Sequence, residues 1–343
     1  VERARTNVAV VGYGYWGAHH VRVLNRIPGV SVTVVEIDSD RSRDAADIYP
    51  AIRCVTSLDE VLADVDCVVV ATPPHEHYSV ALKALRSKKH VLVEKPFTTS
   101  VESANRLVAT ADSANVHVMA GHTFEYHTAA QKLRSIISSG ELGRILYIDS
   151  ARLGLGKYQS DIDVVWDLAP HDVSIISFLL GGEQPTSVSA WTRSNIAGQP
   201  IDLAYLRLDF ERTDAVAFIN VSWISPVKVR RVTVVGDRKM AVYDYLSTIE
   251  PIRIYETNVE VCATSLDVMR SEQSVKYNSD GVVSPMIPFI EPLISQDTHF
   301  ISCVKTGMRP STPGEDGVAN VRVLAGLEVA HRSGQRVALT GEE

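Results

Sequence analysis

Residues 8–17 read VAVVGYGYWG. Val8–Val11 is a short apolar strand that runs straight into glycines at 12, 14 and 17. AHHVRVLNRI then carries the spacing of a helix that ends before Pro28-Gly29. Strand, glycine-rich turn and helix in that order are the context a dinucleotide fingerprint requires. Gly12 permits the tight turn, Gly14 lets the backbone approach a pyrophosphate, and Gly17 lets helix and strand pack closely. The helix N-terminal amides, with Tyr13, Tyr15 and Trp16 among the turn residues, face the phosphates.

The alternation continues outward from this turn. Val30–Ile37 reads as a second buried strand, and a polar stretch from Asp38 opens a helix through Ala46. Ser57–Leu62 is helical, Val65–Ala71 a strand, Glu76–Leu85 a helix and His90–Val93 a strand. A helix over Ser100–Ser113 and a strand over Val116–Ala120 follow. Near-continuous valine in the strands suits a parallel sheet covered on both faces. From about Phe124 the pattern changes. A helix over Thr128–Ser138 leads to a strand over Ile145–Arg152, and another helix covers Val173–Leu180. Alternating segments follow at Ser187–Arg193, Ala204–Phe210, Ala215–Ser222, Lys228–Val235 and Met240–Asp244. Asn258–Met286 reads as a strand followed by a long loop, and helices are expected over His299–Thr306 and Val318–Ser333. The expected fold is α/β: a Rossmann doubly wound parallel sheet over 1–123, then an α+β domain over 124–343 with a mainly antiparallel open sheet. The C-terminal helices can pack back on the first domain.

At 343 residues the chain exceeds the size at which one core usually stops growing. A net charge of -7 speaks against nucleic acid as a partner. No run approaches 18 uncharged apolar residues and nothing marks secretion, so no membrane partner and a cytoplasmic location are expected. Cys54, Cys67, Cys262 and Cys303 form no CxxC unit, which reads as thiols in a reducing compartment, without disulfides and without a metal site.

Asp38 stands about 20 residues beyond the glycines, where the adenosine ribose of a bound NAD belongs. Glu36, two residues earlier, is the weaker alternative, and Arg41 and Arg43 are the residues that would favour NADP. ATPPHEHY, Ala71–Tyr78, follows the next long strand at its C-terminal edge. Thr72, Pro73, His75 and His77 are therefore candidate cofactor contacts, although either histidine also suits a helix cap.

HVLVEKPF puts Glu94 and Lys95 at the end of a buried strand. A lysine there is a solvated rim residue, or an ammonium that stabilises developing oxygen charge and moves a proton. In VVWDLAPHDV, Asp167 and His171 are four apart and share a face of a helix. Pro170 in the first turn would instead make Asp167 an N-cap. His171 is a natural general base at neutral pH; metal binding by this pair lacks a third ligand. Arg152, Lys157, Tyr158 and Trp166 flank the motif and are candidate substrate contacts or plain surface.

AVVGYGYWG, ATPPHEHY, VEKP, the Asp167–His171 pair and the late PSTPGEDG, in this order and over essentially the whole length, resemble the Gfo/Idh/MocA oxidoreductase family. The resemblance implies that Lys95, Asp167 and His171 line a reaction centre and that NAD is the cofactor. It also implies that the open sheet of the second domain supports a homodimer or homotetramer. Substrates in that family are mostly sugars, inositols or sugar nucleotides. Some members carry tyrosine where His171 stands, so the histidine makes the sequence more similar to inositol and nucleotide-sugar dehydrogenases. The WDLAPHD wording also resembles members acting on amino-sugar antibiotics. The expected reaction is oxidation of a secondary ring hydroxyl to a ketone. Keto-sugar reduction, inositol dehydrogenation and a non-catalytic NAD-binding regulator are the alternatives.

Overall fold

A computed structural model describes residues 5–156, 158, 162–262 and 274–339, with the backbone alone for 257–262 and 274–280. The described chain divides into two compact units. One runs to His127 and includes Ile290–Ala325; the other is Thr128–Phe289 with Gly326 onward.

The first unit holds strands β1 Thr6–Val11, β2 Val30–Val35, β3 Arg53–Val55, β4 Cys67–Val70, β5 His90–Val93 and β6 Val118–Ala120. Between them lie helices α1 Tyr15–Leu24, α2 Ser39–Ile48, α3 Pro74–Arg86 and α4 Val101–Ala114. The sheet order is β3-β2-β1-β4-β5-β6, and every neighbouring pair is parallel. Strand order reverses at β1, which pairs with β2 on one side and β4 on the other. This switch point is where an open sheet leaves a crevice at the carboxyl ends of its strands. All four residues of β4 are buried, as strands covered on both faces must be.

Later in the chain come α7, Pro292–Thr306, and α8, Gly314–Ser333, whose residues to Ala325 count with the first unit. Phe300 of α7 is fully buried in the same core as Val8, Val21, Val69 and Leu92. Replacing such a side chain by alanine costs about 3–5 kcal/mol. Thr312 closes the β6 edge, because its carbonyl accepts from Ala120 N (2.9 Å) and its hydroxyl donates to Ala120 O (2.8 Å).

The second unit opens with α5, Thr128–Ser138, then β7, Ile145–Leu155, and α6, Val164–Leu179. Strands β8 Ser187–Arg193, β9 Leu203–Phe210, β10 Ala215–Ser222, β11 Ile224–Gly236 and β12 Met240–Asp244 follow. β13 Ile252–Cys262, β14 Ser274–Val283 and β15 Val337–Ala338 complete the set. They form a nine-stranded sheet in the order β14-β13-β12-β11-β7-β10-β9-β8-β15. All pairs are antiparallel except β7 with β10. Ile148 and Ser150 of β7, Ala217 and Ile219 of β10, and Leu206 and Leu208 of β9 are buried on the face that meets α6. The opposite face exposes Tyr147, Trp191, Tyr205 and Phe218.

One strand is missed by the sequence, and three expectations are corrected. β3 is a strand that the polar Arg53-Cys54 start disguised. Ser57–Leu62 holds only a 3-10 turn, Leu58–Glu60, closed by a Ser57–Glu60 capping box. Within 258–286 the described residues form two antiparallel strands, where one strand and a loop were expected, and 263–273 lie outside the described residues. α6 begins nine positions before the expected Val173, because Asp163 caps it. Among the described residues no helix is long and apolar enough to cross a membrane.

Candidate functional site

The β1–α1 turn takes its shape from two glycines. Gly12 has φ +91, and a Cβ there would meet Ala71 O at 2.7 Å. A Cβ on Gly17 would fall 1.8 Å from Gly12 O, so only glycine lets α1 lie against this turn. Gly14 differs: among the described residues nothing lies within 4 Å of its would-be Cβ. Gly14 is also the N-cap of α1, makes no side-chain cap bond, and is followed by no acid in the first turn. A helix start with uncapped amides and open space in front of the backbone is the cradle a pyrophosphate fits. The Tyr13 ring is buried in the core while its backbone N–H donates to Glu36 Oε2 at 2.6 Å. Tyr15 is exposed and stacks edge-on with Trp16 and His19.

The acid that reaches this turn is Glu36, not Asp38. Glu36 follows β2, is buried, and accepts from Tyr13 N and from Asp38 N (2.9 Å). Asp38 is exposed and caps α2, its Oδ1 accepting from Asp40 N (2.9 Å) and Arg41 N (3.1 Å). Those amides, Arg41's first, hold the Asp38 carboxyl below its usual range. Sequence spacing favoured the residue that looks most like a ribose acid, but a short polar residue ahead of a helix is also the best N-cap. Arg43 pairs with Asp40 at 3.3 Å on the exposed face of α2.

Next to the glycine turn, beyond the end of β4, Thr72 has a buried hydroxyl with no hydrogen-bond partner among the described residues. Pro73 caps α3 and Pro74 starts it, while His75 is exposed in its first turn. His77 turns inward: Nε2 is 2.8 Å from Thr72 O and Nδ1 is 2.8 Å from Pro96 O. Burial holds it below the ordinary imidazole range, so a neutral ring donates to one carbonyl at a time. His77 therefore fastens the loop after β4 to the loop after β5.

Glu94 and Lys95 follow β5, and the Lys95–Pro96 peptide is cis. The Glu94 side chain is buried. Its Oε1 lies 3.0 Å from His20 Nε2, and its Oε2 accepts from Lys95 N at 3.2 Å. On the other side of the ring, His20 Nδ1 is 3.0 Å from both oxygens of Asp297 on α7. Burial alone would lower the His20 pKa, but Asp297 and Glu94 raise it to about 10. Glu94 is held below the usual carboxylate range against its own burial, chiefly by His20, whereas burial pushes Asp297 up. Sequence reasoning missed His20 and Asp297, and no local signal could have paired residues this far apart.

Asp167 and His171 belong to the second unit. Both lie inside α6, one turn apart, so the i,i+4 spacing puts them on one side of a continuous helix. The cap is Asp163, which accepts from Val165 N (2.9 Å) and Trp166 N (3.0 Å). Pro170 is interior rather than in the first turn, and Asp167 is not the N-cap. Asp167 Oδ2 accepts from Trp223 Nε1 at 3.1 Å, while His171 is buried. Its neighbour Asp172 is tied to the sheet, accepting from Ser150 Oγ at 2.6 Å and from Arg152 Nε at 2.7 Å. That bond occupies Arg152, one of the suspected substrate contacts, on the helix side of the sheet. Tyr158 donates to Asp202 (2.9 Å) and packs edge-on to Trp223. Trp166 lines a small cavity with Asp163, Thr192 and His331. Lys157 lies outside the described residues.

A family profile described as an oxidoreductase family with an NAD-binding Rossmann fold matches residues 6–122, and the GFO/IDH/MocA C-terminal domain profile matches 130–242. The chain belongs to the Gfo/Idh/MocA oxidoreductase family. Inositol 2-dehydrogenase of Rhodococcus erythropolis is 35% identical over 97% of this chain and 94% of that one. UDP-N-acetylglucosamine 3-dehydrogenase of Acidithiobacillus ferrooxidans is 28% identical over 92% and 93%. Among solved structures, GenD2 from gentamicin A biosynthesis in complex with NAD superposes with a TM-score of 0.83 at 26% identity, covering 99% of this chain and 98% of that one. This Gfo/Idh/MocA chain is thus an oxidoreductase whose first domain is an NAD-binding Rossmann fold. The glycine cradle fits that dinucleotide, with Gly12, Gly14, Gly17 and Glu36 as the residues that would hold it.

Proposed function

We propose that the protein is an NAD-dependent dehydrogenase that oxidises a secondary ring hydroxyl of a sugar, amino sugar or nucleotide sugar to a ketone. The observation that carries this reading is the pair on α6: Asp167 and His171 one turn apart in a single helix, beside an Asp172 locked to β7. The dehydrogenase names of the full-length relatives support it. NAD, when bound, supplies the acceptor for the hydride that leaves the carbinol carbon. The remaining chemistry falls to the chain. His171 takes the hydroxyl proton, Asp167 orients the ring or a substrate hydroxyl, and the Lys95 ammonium stabilises the negative charge that grows on the oxygen. Glu36 receives the ribose hydroxyls, and a carboxylate there repels a 2′-phosphate, which favours NAD over NADP. Read backwards, the same groups reduce a keto sugar.

We further assign the exposed face of the large sheet to a homodimer or homotetramer contact. Tyr147, Trp191, Tyr205 and Phe218 stand on four contiguous strands, and an aromatic patch on that scale normally marks an interface. A reducing, cytoplasmic setting suits the free thiols of Cys54, Cys67 and Cys303.

The deciding experiment is a screen of cyclitols, free sugars, aminoglycosides and nucleotide sugars with NAD, followed as NADH absorbance. At least one class is expected to give NADH. Tight NAD binding with no turnover of any of them, or of the matching ketones with NADH, would replace the enzyme by an NAD-binding regulator.

A further inference from the structure

Three ionisable side chains, all buried, form a line within the first unit. Asp297 of α7 meets His20 of α1, His20 meets Glu94 beyond β5, and the line ends on the backbone N–H of Lys95. His20 has no solvent exposure on its side chain, nor has Asp297, and Glu94 has 5%. Both ring nitrogens of His20 face carboxylate oxygens, which only accept, so both nitrogens carry hydrogen and the ring is an imidazolium. Such a group is costly to bury unless every partner is in place, and here each is. Glu94 is the hinge of the arrangement, because one carboxylate spends one oxygen on His20 and the other on Lys95. Gly121 backs it closely, since a Cβ there would come within 3.1 Å of Glu94 Cα.

We propose that His20 and Asp297 are positioning residues for Lys95, acting through the Glu94 carboxylate. The idea rests on the role assigned above to Lys95. His20 also lies on the helix whose first turn forms the dinucleotide cradle, so one buried ring links the cradle helix to the Lys95 backbone.

The test uses the full chain and exploits the geometry of the ring. In His20→Gln the amide nitrogen takes the place of Nε2 and keeps the donor toward Glu94. In His20→Asn it takes the place of Nδ1, keeps the bond to Asp297 and loses Glu94. The first readout is hydrogen exchange of the Lys95 amide, which needs no substrate. His20→Asn should speed it roughly 10-fold with the β1 amides unchanged, and His20→Gln, which keeps Glu94 but loses Asp297, should fall between it and the wild type. The second readout is NADH formation with myo-inositol and UDP-N-acetylglucosamine as probes, using whichever the wild type oxidises. His20→Asn should lower kcat roughly 10-fold while the KM for NAD moves less than about 3-fold, and His20→Gln should recover most of the loss. In a Lys95→Met background, His20→Asn should add no further loss. An unchanged Lys95 amide in His20→Asn, or losses that multiply in the double variant, would overturn the proposal. Should Lys95→Met itself turn over normally, the role of Lys95 fails, and the exchange result still decides whether His20 holds its backbone. If His20→Asn does not fold, Asp297→Asn, which keeps an acceptor, carries the same comparison with a smaller change in the same direction.

Discussion

His20 Nε2 lies 3.0 Å from Glu94 Oε1, with the imidazole side chain fully buried. The ring is therefore a protonated histidine at neutral pH, raised from its ordinary 6.5 to about 10 by Asp297 and Glu94 against the pull of burial. A folded-state pKa above the unfolded one gives stability that is whole below pH 6.5 and is lost as pH rises through about 10. Urea midpoints should fall across that window, by a free energy on the order of a few kcal/mol. His20→Asn should flatten this alkaline limb. An equally steep fall in the variant would assign the limb to another group.

Cofactor choice separates the two acids after β2. Glu36→Ala should weaken NAD binding about 10-fold and narrow the gap to NADP, because the carboxylate at the glycine turn is gone. Asp38→Ala should instead cost a helix cap, roughly 0.5–2 kcal/mol, and leave the preference in place. Titration of both cofactors against both variants, alongside thermal melts, distinguishes them; the reverse pattern would return the ribose to Asp38.

The glycines of the turn should fail in different ways. Gly14→Ala has open space for its methyl, so the protein should melt normally while NAD affinity drops about 10-fold or more. Gly17→Ala drives a methyl into the Gly12 carbonyl and should cost about 3 kcal/mol of stability before any ligand is added. Equal behaviour of the two in melts and titrations would contradict the cradle.

For the chemistry, His171→Ala and Lys95→Ala should each lower turnover roughly 10²-fold while NAD affinity changes little. Near-normal rates from His171→Ala would move the proton to Lys95, and near-normal rates from both would end the mechanism.

Assembly is read most simply by sedimentation at micromolar concentration. The wild type should run as a dimer or tetramer, and Phe218→Glu with Trp191→Glu should run as a smaller species with an unchanged melt. A wild-type monomer would remove the sheet face as an interface.

How much the amino-acid order disclosed follows from how local each feature is. Val8–Gly17 was readable because strand, turn and helix start lie within ten residues and each has its own signal. The same holds for β4, β5 and the pair on α6. Asp38 and Glu36 were hard to tell apart because capping and ribose binding ask for the same kind of acid at nearly the same place, and only folding shows that Glu36 reaches the glycine turn while Asp38 caps a helix. Pro170 misled because proline is common in a first turn, whereas here Asp163 starts the helix and the proline is carried inside it. The partnership of His20 with Asp297 spans 277 positions and obeys no spacing rule, so folding alone reveals it.

The division of the chain has a consequence for its synthesis. The first unit still lacks Phe300 in its core, Asp297 beside His20 and Thr312 along β6 when the ribosome has passed His127 but not Ile290. The other unit draws its β15 edge from after Gly326. α8 gives its first part to one unit and its remainder to the other, so neither closes until that helix has been translated. A transcript that stops short of it leaves two unfinished cores rather than one finished domain.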